Sequence, residues 1–390
     1  MARKIAVGID IGSYQIKVVV AEHLKDKPNP QILGMGYAES RGLRHGYIIS
    51  LSDAARSLRV AIEQAEKTAK IKIRKAFVSV GGIGLGSVTS QASVVVSKAD
   101  SEITELDVKK VLEQSERDIP ASQSANRKIL HTIPLQYKVD GKPVLGRPHG
   151  MRGSKLEVRT LFITSLEQHL NDLIQAVAEA GVDVEDVMAA PLAASLVTLS
   201  KQQKIAGCVL ANIGSETVSI AIFENNIPIS LDVFPIGSTD ITNDIALGLK
   251  ISLEDAEKLK VGTDGEIQYP RKKLEEIILA RLSDIFDLIE AHLKKVGRSG
   301  LLPAGIIITG GGSGITTIED LAKAALKLPS RIGTLSFGAH LGDHIKDATW
   351  SVAYGLCIWG LTTSDDASLG TKMIKQGGGD LMKMIQRFLP

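Results

Sequence analysis

Two segments of this chain, one at its start and one past its middle, are written to the same plan. The first runs Ile5-Ala-Val-Gly-Ile-Asp10-Ile-Gly12-Ser13-Tyr14-Gln-Ile-Lys17-Val-Val-Val20. The second runs Cys208-Val-Leu-Ala-Asn212-Ile-Gly214-Ser215-Glu216-Thr217-Val-Ser-Ile-Ala-Ile222. Each is an apolar strand, a polar residue, Ile, Gly and Ser, and then a second apolar strand. Glycine has no Cβ, so backbone N–H groups on such a turn can approach an anion closely. Two turns facing each other would clamp the phosphates of a nucleotide. The candidates are Gly12, Ser13 and Tyr14, with Lys17 farther off, and then Gly214, Ser215, Glu216 and Thr217. One such hairpin is commonplace; its repetition is what constrains the fold.

Asp10 ends the first strand, where a carboxylate would hold Mg²⁺ through water beside the β- and γ-phosphates. The alternative is an aspartate that caps the turn. The matching residue of the second hairpin is Asn212. Its amide can accept a water or metal contact, but it has no charge and cannot act as a base. The exchange predicts weaker organisation of Mg²⁺ and slow hydrolysis.

A chain of 390 residues exceeds what one core usually accommodates, which predicts two lobes. The net charge of +2, without an extended basic run, gives no bulk affinity for nucleic acid. Cys208 and Cys357 lie in apolar patterns and read as buried reduced thiols; no C-x-x-C or His/Cys cluster suggests a metal site. The first residues enter a strand without a basic leader and apolar core, and no apolar run reaches the roughly 18–20 residues that span a bilayer. The expected location is cytoplasmic.

Periodicity predicts a helix over 51–70 with Ser52 as N-cap, a strand over 76–80, and then a change of pattern after Gly81-Gly82. A long strand ending near Ser97, a helix over 104–117, and strands near 128–139 and 156–164 follow, with a polar stretch over 120–126. Helix 166–180, strand 182–189 and helix 191–200 lead to the second hairpin. Strand 227–235, helices 238–250, 252–260 and 271–296, strand 304–309 and helix 350–361 complete the pattern. In helix 271–296, Leu274, Ile277, Ile278, Leu282, Ile285, Leu288 and Ile289 form one apolar stripe, read as core.

Gly310-Gly311-Gly312-Ser313 follows the apolar strand Ile306-Ile-Ile-Thr309 and precedes a predicted helix. Glycines there would let backbone lie against an adenine or ribose, with the helix N-terminus toward the ligand. Glu257 and Lys260 fall three apart on one helical face, where a carboxylate can bind ribose hydroxyls. A solvated charged helix is the alternative.

In this order the pieces resemble the actin and sugar-kinase superfamily, and within it the FtsA family of bacterial cell-division actin homologues, over nearly the full length. The block between Gly82 and Leu166 carries Ile133-Pro-Leu-Gln-Tyr137-Lys-Val-Asp140-Gly141 and Gly150-Met151-Arg-Gly153-Ser-Lys-Leu156-Glu157, which match that family's inserted subdomain 1C. Ile241-Thr-Asn-Asp-Ile-Ala-Leu-Gly248-Leu, Ala256-Glu257-Lys-Leu-Lys260 and Arg281-Leu-Ser-Asp-Ile-Phe286 resemble its subdomain 2B. The resemblance implies an α/β, actin/sugar-kinase-like, two-lobed fold with an inserted α+β subdomain. On that plan residues 1–82 and 166–203 form 1A, 83–165 form 1C, 204–240 and 303–343 form 2A, and 241–302 form 2B. A helix over 344–361 returns to 1A, 362–379 are a linker, and 380–390 are an amphipathic helix. Two positions depart from the family's pattern: Asn212 stands in place of Asp, and Ala190 stands in place of a Glu before Pro191.

After a stretch over 362–379 of Thr, Ser, Asp and Gly with few large apolar groups, ending in Gly377-Gly378-Gly379, the sequence becomes apolar again. Leu381, Met384, Ile385, Phe388 and Leu389 fall at i, i+3, i+4, i+7 and i+8, with Met382 close by and Lys383 and Arg387 on the flank. That stripe suits the membrane interface and is too short to span it; a terminal helix docked on the protein's own surface is the alternative. The resemblance implies ATP or ADP with Mg²⁺, self-assembly into filaments, and weak or absent hydrolysis. It also implies docking of the FtsZ C-terminal peptide on 2B near Arg281, contacts of 1C with late division proteins, and attachment to anionic lipid at the inner face of the membrane. A pilus-assembly scaffold of the PilM type is the second reading, and a sugar or acetate kinase the third.

Overall fold

A computed structural model describes residues 4–23, 30–262, 269–335 and 347–363. The first repeat folds as β1 (Lys4–Ile11) and β2 (Gln15–His23), paired antiparallel from Lys4↔His23 to Ile11↔Ile16, with β3 (Gln31–Glu39) beyond β2. β4 (Leu43–Arg44) and β5 (Tyr47–Ile48) make a small hairpin. It leads into α1 (Leu51–Ala69), whose Ala54, Leu58, Ala61, Ile62 and Ala65 form the buried face. The N-cap of α1 is Ser50, not Ser52; the Ser50 hydroxyl donates to Asp53 at 2.8 Å. β6 (Lys75–Val80) then lies parallel to β1.

The inserted block consists of β7 (Gly86–Val95), α2 (Glu105–Arg117), α3 (Ala121–Ser124), β8 (Arg127–Val139), β9 (Lys142–Val144) and β10 (Lys155–Leu166). Its antiparallel sheet runs β7-β10-β8-β9 and shares a small core with α2, built from Val108, Val111, Leu112, Tyr137, Leu156 and Val158. β9 and the single turn of α3 were not legible in the sequence. Thr104 caps α2 by exchanging hydrogen bonds with Asp107. Burial acts to raise the Asp107 carboxyl, but hydrogen bonds from Ser97 and Thr104 outweigh it and hold the group at about 2.

The first lobe closes with α4 (Glu167–Glu179), β11 (Asp183–Ala189) parallel to β6, and α5 (Ala190–Thr198). A short helix, α6 (Lys201–Ala206), is separate from α5; Ser200 and Gln203 cap it reciprocally. The helix expected over 191–200 thus ends at Thr198, and the separate helix α6 carries no periodic apolar pattern of its own.

The second lobe repeats the first lobe's sheet. β12 (Cys208–Ile213), β13 (Val218–Glu224) and β14 (Ile227–Phe234) form an antiparallel run. α7 (Ser238–Leu249), α8 (Leu253–Val261) and α9 (Arg271–Lys295) follow. β15 (Ile306–Thr309) lies parallel to β12; α10 (Ile318–Leu326) and β16 (Ser330–Ile332) come next, with β16 parallel to β15. The orders β11-β6-β1-β2-β3 and β16-β15-β12-β13-β14 are the same topology built twice. Parallel strands bounded by apolar residues on both faces give near-continuous hydrophobic runs, as in Ile306–Thr309, where all four residues are buried. In α9, Leu274, Leu282, Ile285 and Ile289 are buried, but Leu288 is 39% exposed at the rim, so it does not belong to the core stripe.

α11 (Ser351–Thr363) packs on β1, β2 and α5 and returns the chain to the first lobe. Burying its Val352, Leu356 and Trp359 contributes about 1.5–3 kcal/mol for each large side chain. Cys208 and Cys357 are free and buried, and burial pushes both thiols up to about 12. Among the described residues no helix is long and apolar enough to cross a membrane, and no His/Cys/Asp/Glu group forms a metal cluster. Most of the expected linker and the entire terminal stripe (Leu381, Met382, Lys383, Met384, Ile385, Arg387, Phe388 and Leu389) lie outside the described residues.

Candidate functional site

The two hairpin turns face each other across a cleft of about 830 Å³. Asp10, Gly12, Ser13, Tyr14 and Lys17 line one side, and Asn212, Gly214, Ser215 and Thr217 the other. Glu257, Lys260, Gly310 and Gly311 close one end. A second groove of about 710 Å³ lies elsewhere, among α5, α6 and α11, and contains none of the residues singled out from the sequence.

Around the first turn, side chains do the bracing. Asp10 sits cross-strand from Lys17. Ser79 on β6 donates its hydroxyl to Asp10 Oδ1 at 2.8 Å and accepts from the amide of Ile11 at 3.2 Å. Burial raises the Asp10 carboxyl above its ordinary range, against the Ser79 hydrogen bond and the Lys17 charge. Burial likewise lowers Lys17, opposed by Asp10 and Asp347. Lys17 Nζ donates to the carbonyl of Thr349 at 3.0 Å and lies 5.4 Å from the centre of the Trp350 ring. It is thus held against the 347–350 segment. Gly12 accepts at its carbonyl from Ser40 Oγ, and Ser13 Oγ accepts from the amide of Gly46 at 2.9 Å. The Ser13 hydroxyl proton stays available to an anion. Tyr14 is 62% exposed at the cleft mouth.

Backbone braces the second turn. The amide of Gly214 donates to the carbonyl of Thr217 at 2.9 Å, so that amide is engaged within the turn and cannot also serve a phosphate. The first two amides of α7, from Ser238 and Thr239, donate to the carbonyls of Gly214 and Ser215 at 2.9 and 2.8 Å. Glu216 does not line the cleft. Its carboxylate accepts from the amide of His45 in the first lobe, and its carbonyl lies 3.2 Å from His45 Nδ1. A carboxylate has no proton to offer a phosphate, and here it ties the two lobes together.

The glycine run divides. Gly310 has φ +86°, and a Cβ there would lie 2.3 Å from Asn212 Oδ1 and 2.5 Å from the carbonyl oxygen of Ile213, so only glycine fits. Gly310 and Gly311 reach the cleft. Gly312 packs on the Ile213 side chain, and Ser313 is buried with its hydroxyl donating to the carbonyl of Gly310 at 2.7 Å. The run forms a 3-10 turn, Gly311–Gly314, and α10 begins only at Ile318; no helix N-terminus starts at the glycines as the sequence had suggested.

Glu257 and Lys260 share one face of α8 and form an ion pair at 2.7 Å. Thr242 of α7 joins them: its hydroxyl donates to Glu257 Oε2 at 2.6 Å and accepts from Lys260 Nζ at 2.8 Å. Arg281 lies on α9, outside the cleft, where Nε donates to Asp244 Oδ2 at 2.7 Å and Nη1 lies 3.3 Å from Asp284. Ser79, Thr242, Ser238 and Thr239 also line the cleft and were not anticipated. The hydroxyl of Ser79 interrupts an apolar strand, which is a signal in retrospect; Thr242 left none, because its charged partners, Glu257 and Lys260, are fifteen and eighteen residues away. Ala190 lines the cleft where the resemblance would place a carboxylate.

A family model described as Cell division protein FtsA matches residues 209–355, and one described as the SHS2 domain inserted in FtsA matches residues 82–164. The chain is 31% identical over 372 residues to the Cell division protein FtsA of Bacillus subtilis, covering 90% of this chain and 82% of that one. To that of Pseudomonas aeruginosa it is 29% identical over 385 residues, covering 93% and 91%. Among solved structures, the PilM–PilN type IV pilus biogenesis complex superposes with a TM-score of 0.67 at 16% identity, over 91% of this chain and 98% of that one. MreB5 of Spiroplasma citri bound to ADP gives 0.53 at 12% identity, over 94% and 99%. At such identities the structural likeness establishes the actin-like fold alone. With the sequence matches added, the chain belongs to the FtsA family of cell division proteins.

Proposed function

We propose that the cleft holds ATP or ADP with Mg²⁺ as a structural ligand, and that the protein is a filament-forming adaptor. It would hold FtsZ, through that protein's C-terminal peptide, at the inner face of the membrane during cell division. The observation that supports this is the pair of phosphate-type turns facing across one cleft, with a carboxylate at the matched strand-end position of the first turn, Asp10, and an amide, Asn212, at that of the second. Asp10 and the Asn212 amide oxygen are hard oxygen donors, the set that suits Mg²⁺ through water. When bound, Mg²⁺ neutralises charge on the β- and γ-phosphates. Gly12, Ser13, Ser215 and Thr217 would orient the phosphates, and Gly310 and Gly311 would let the nucleoside lie against backbone. Hydrolysis needs a base beside the attacking water, and Asn212 and Ala190 supply none, so turnover is expected to be slow. A kinase reading lacks its base for the same reason.

Membrane attachment rests on the terminal stripe over 381–389. A helix that short binds lipid by a few kcal/mol, and Lys383 and Arg387 add roughly 1 kcal/mol each on anionic lipid. Firm attachment then requires many copies side by side, which a filament supplies through effective concentration. Arg281 is the proposed contact for the FtsZ peptide, and the inserted domain the contact for later division proteins and neighbouring protomers. Liposome flotation of the full chain and of a chain ending at Gly378, each with and without Mg-ATP, tests the adaptor. Flotation of the full chain alone, increased by Mg-ATP, is the expected result. Equal flotation of both chains, or of neither, would remove the membrane role and bring the PilM-like scaffold forward.

A further inference from the structure

The inserted domain belongs to the first lobe, yet one of its side chains grips the second. Ser87, near the start of β7, donates its hydroxyl to the carbonyl of Leu231 on β14 at 2.7 Å and accepts from the amide of the same residue at 2.9 Å. We propose that this contact is a latch. It shuts when the lobes close on a nucleotide and opens when they part, while residues 81–83 stay fixed to the first lobe as the pivot of the inserted domain. The latch goes beyond the nucleotide reading above and rests on it.

The pivot is built of backbone on backbone. The turn between β4 and β5 has both residues at positive φ, His45 at +49° and Gly46 at +81°. A Cβ on Gly46 would lie 2.3 Å from Gly82 Cα, so the two chains touch with no side chain between them to absorb movement. The carbonyl of His45 accepts from the amide of Ile83 at 3.3 Å, and the buried His169 of α4 lies with Nε2 3.0 Å from the carbonyl of Gly81. Arg127 of β8 then ties the connecting segment to the inserted sheet, donating from Nη2 to the carbonyl of Gly84 at 2.6 Å. The turn that carries this pivot is bonded to both phosphate-type hairpins. Its Gly46 amide is on Ser13 Oγ, and its His45 amide is on the Glu216 carboxylate. A ligand that draws the hairpins together therefore acts on the turn from both sides.

The latch is made the opposite way. β7 and β14 are edge strands of separate sheets, and among the described residues no ladder joins them. The outward amide and carbonyl of Leu231 are both taken by the one Ser87 hydroxyl, and the next outward amide, that of Val233, goes to Asp232 Oδ1 instead. A continuous ladder would fix the inserted domain to the second lobe; two neutral bonds through one hydroxyl are the weakest link between them. On the second lobe the strand is braced. His292 of α9 holds both neighbours of Leu231, with Nε2 2.8 Å from Ser230 Oγ and Nδ1 3.0 Å from Asp232 Oδ2. Leu231 is thus presented in a fixed position, and Ser87 is the part that leaves. The Leu231 side chain is 1% exposed, so opening is a shift of the hydroxyl off the strand edge and not a parting of the core.

The test is hydrogen exchange of the full chain with and without Mg-ADP, read in peptides spanning 229–233 and 82–85, together with stopped-flow release of a fluorescent ADP. In the native chain Mg-ADP should slow exchange around Leu231 about tenfold and leave Ile83 and Leu85 unchanged. Ser87→Ala should remove that response and speed ADP release about tenfold, the worth of the neutral hydrogen bonds lost. Ser87→Thr, which keeps the hydroxyl, should behave as the native chain does, and circular dichroism should show that both variants are folded. If Mg-ADP leaves exchange over 229–233 unchanged in the native chain, or if Ser87→Ala releases ADP at the native rate, Ser87 is a static brace and the latch is overturned. A response of equal size in both peptides overturns it as well, because the pivot then moves with the latch. A native chain that binds no fluorescent ADP removes the nucleotide reading together with it.

Discussion

The two phosphate-type hairpins sit at the same place in two sheets of identical order, yet they are held differently. The Asp10 turn is held by side chains: Ser79 on the carboxylate, Ser40 on the Gly12 carbonyl, and the Gly46 amide on Ser13. The Asn212 turn is held by backbone, with two amides of α7 on its carbonyls and Gly310 pressed against Asn212 itself. The first therefore keeps a buried carboxylate whose charge is costly without a cation. The second is neutral and tightly packed. This asymmetry is what the proposal of a nucleotide held rather than consumed rests on.

The sharpest way to break the comparison uses the two glycines that end the matching parallel strands. Gly310→Ala should destabilise the second lobe by roughly 3 kcal/mol or more, from strain at positive φ and overpacking together. Gly81→Ala should cost less than about 1 kcal/mol, since the atom nearest a Cβ there is Ala190 Cβ at 3.9 Å. Urea unfolding of both variants measures the difference, and equal losses would mean that the second turn is no more tightly packed than the first. Next in size, Asn212→Asp should make the two turns chemically alike and raise phosphate release about a hundredfold, the lower range of general-base effects. A rate that stays at the native level would place the block to hydrolysis elsewhere, with Ala190 the next position to change. The smallest effect concerns the joint between the lobes. Glu216→Ala removes a charged acceptor from the His45 amide and should speed release of a fluorescent ADP a few-fold, for a bond worth about 1 kcal/mol where partly exposed. Unchanged release would mean that this contact does not restrain opening.

What the sequence disclosed was local. The hairpins, Asp10 and the importance of Gly310 all follow from a strand, a turn and a missing Cβ within a few residues. What it hid depends on register between distant segments. Nothing near Ser79 says that its hydroxyl will meet Asp10, and nothing near Thr242 announces Glu257. The same limit explains the misplacements. Gly312 and Ser313 read as equal members of the glycine run, but in the 3-10 turn Gly312 packs on Ile213 and Ser313 is buried with its hydroxyl on the Gly310 carbonyl. Glu216 reads as part of a phosphate turn, but its carboxylate finds a first-lobe amide. Ser52 is the cap expected from the pattern, but the helix begins at Leu51 and the cap is Ser50, which only the backbone dihedrals decide. The terminal stripe over 381–389 is legible as an amphipathic pattern, and its task is argued from that pattern alone.

The asymmetry between the hairpins is tested most directly by the Mg²⁺ dependence of ATP affinity, measured by calorimetry in the native chain, Asp10→Ala and Asn212→Ala. The native chain should bind one ATP more tightly with Mg²⁺ than without it. Asp10→Ala should abolish that gain and Asn212→Ala should keep most of it. Loss of the gain in both variants alike, or a native chain whose ATP affinity ignores Mg²⁺, would contradict the account.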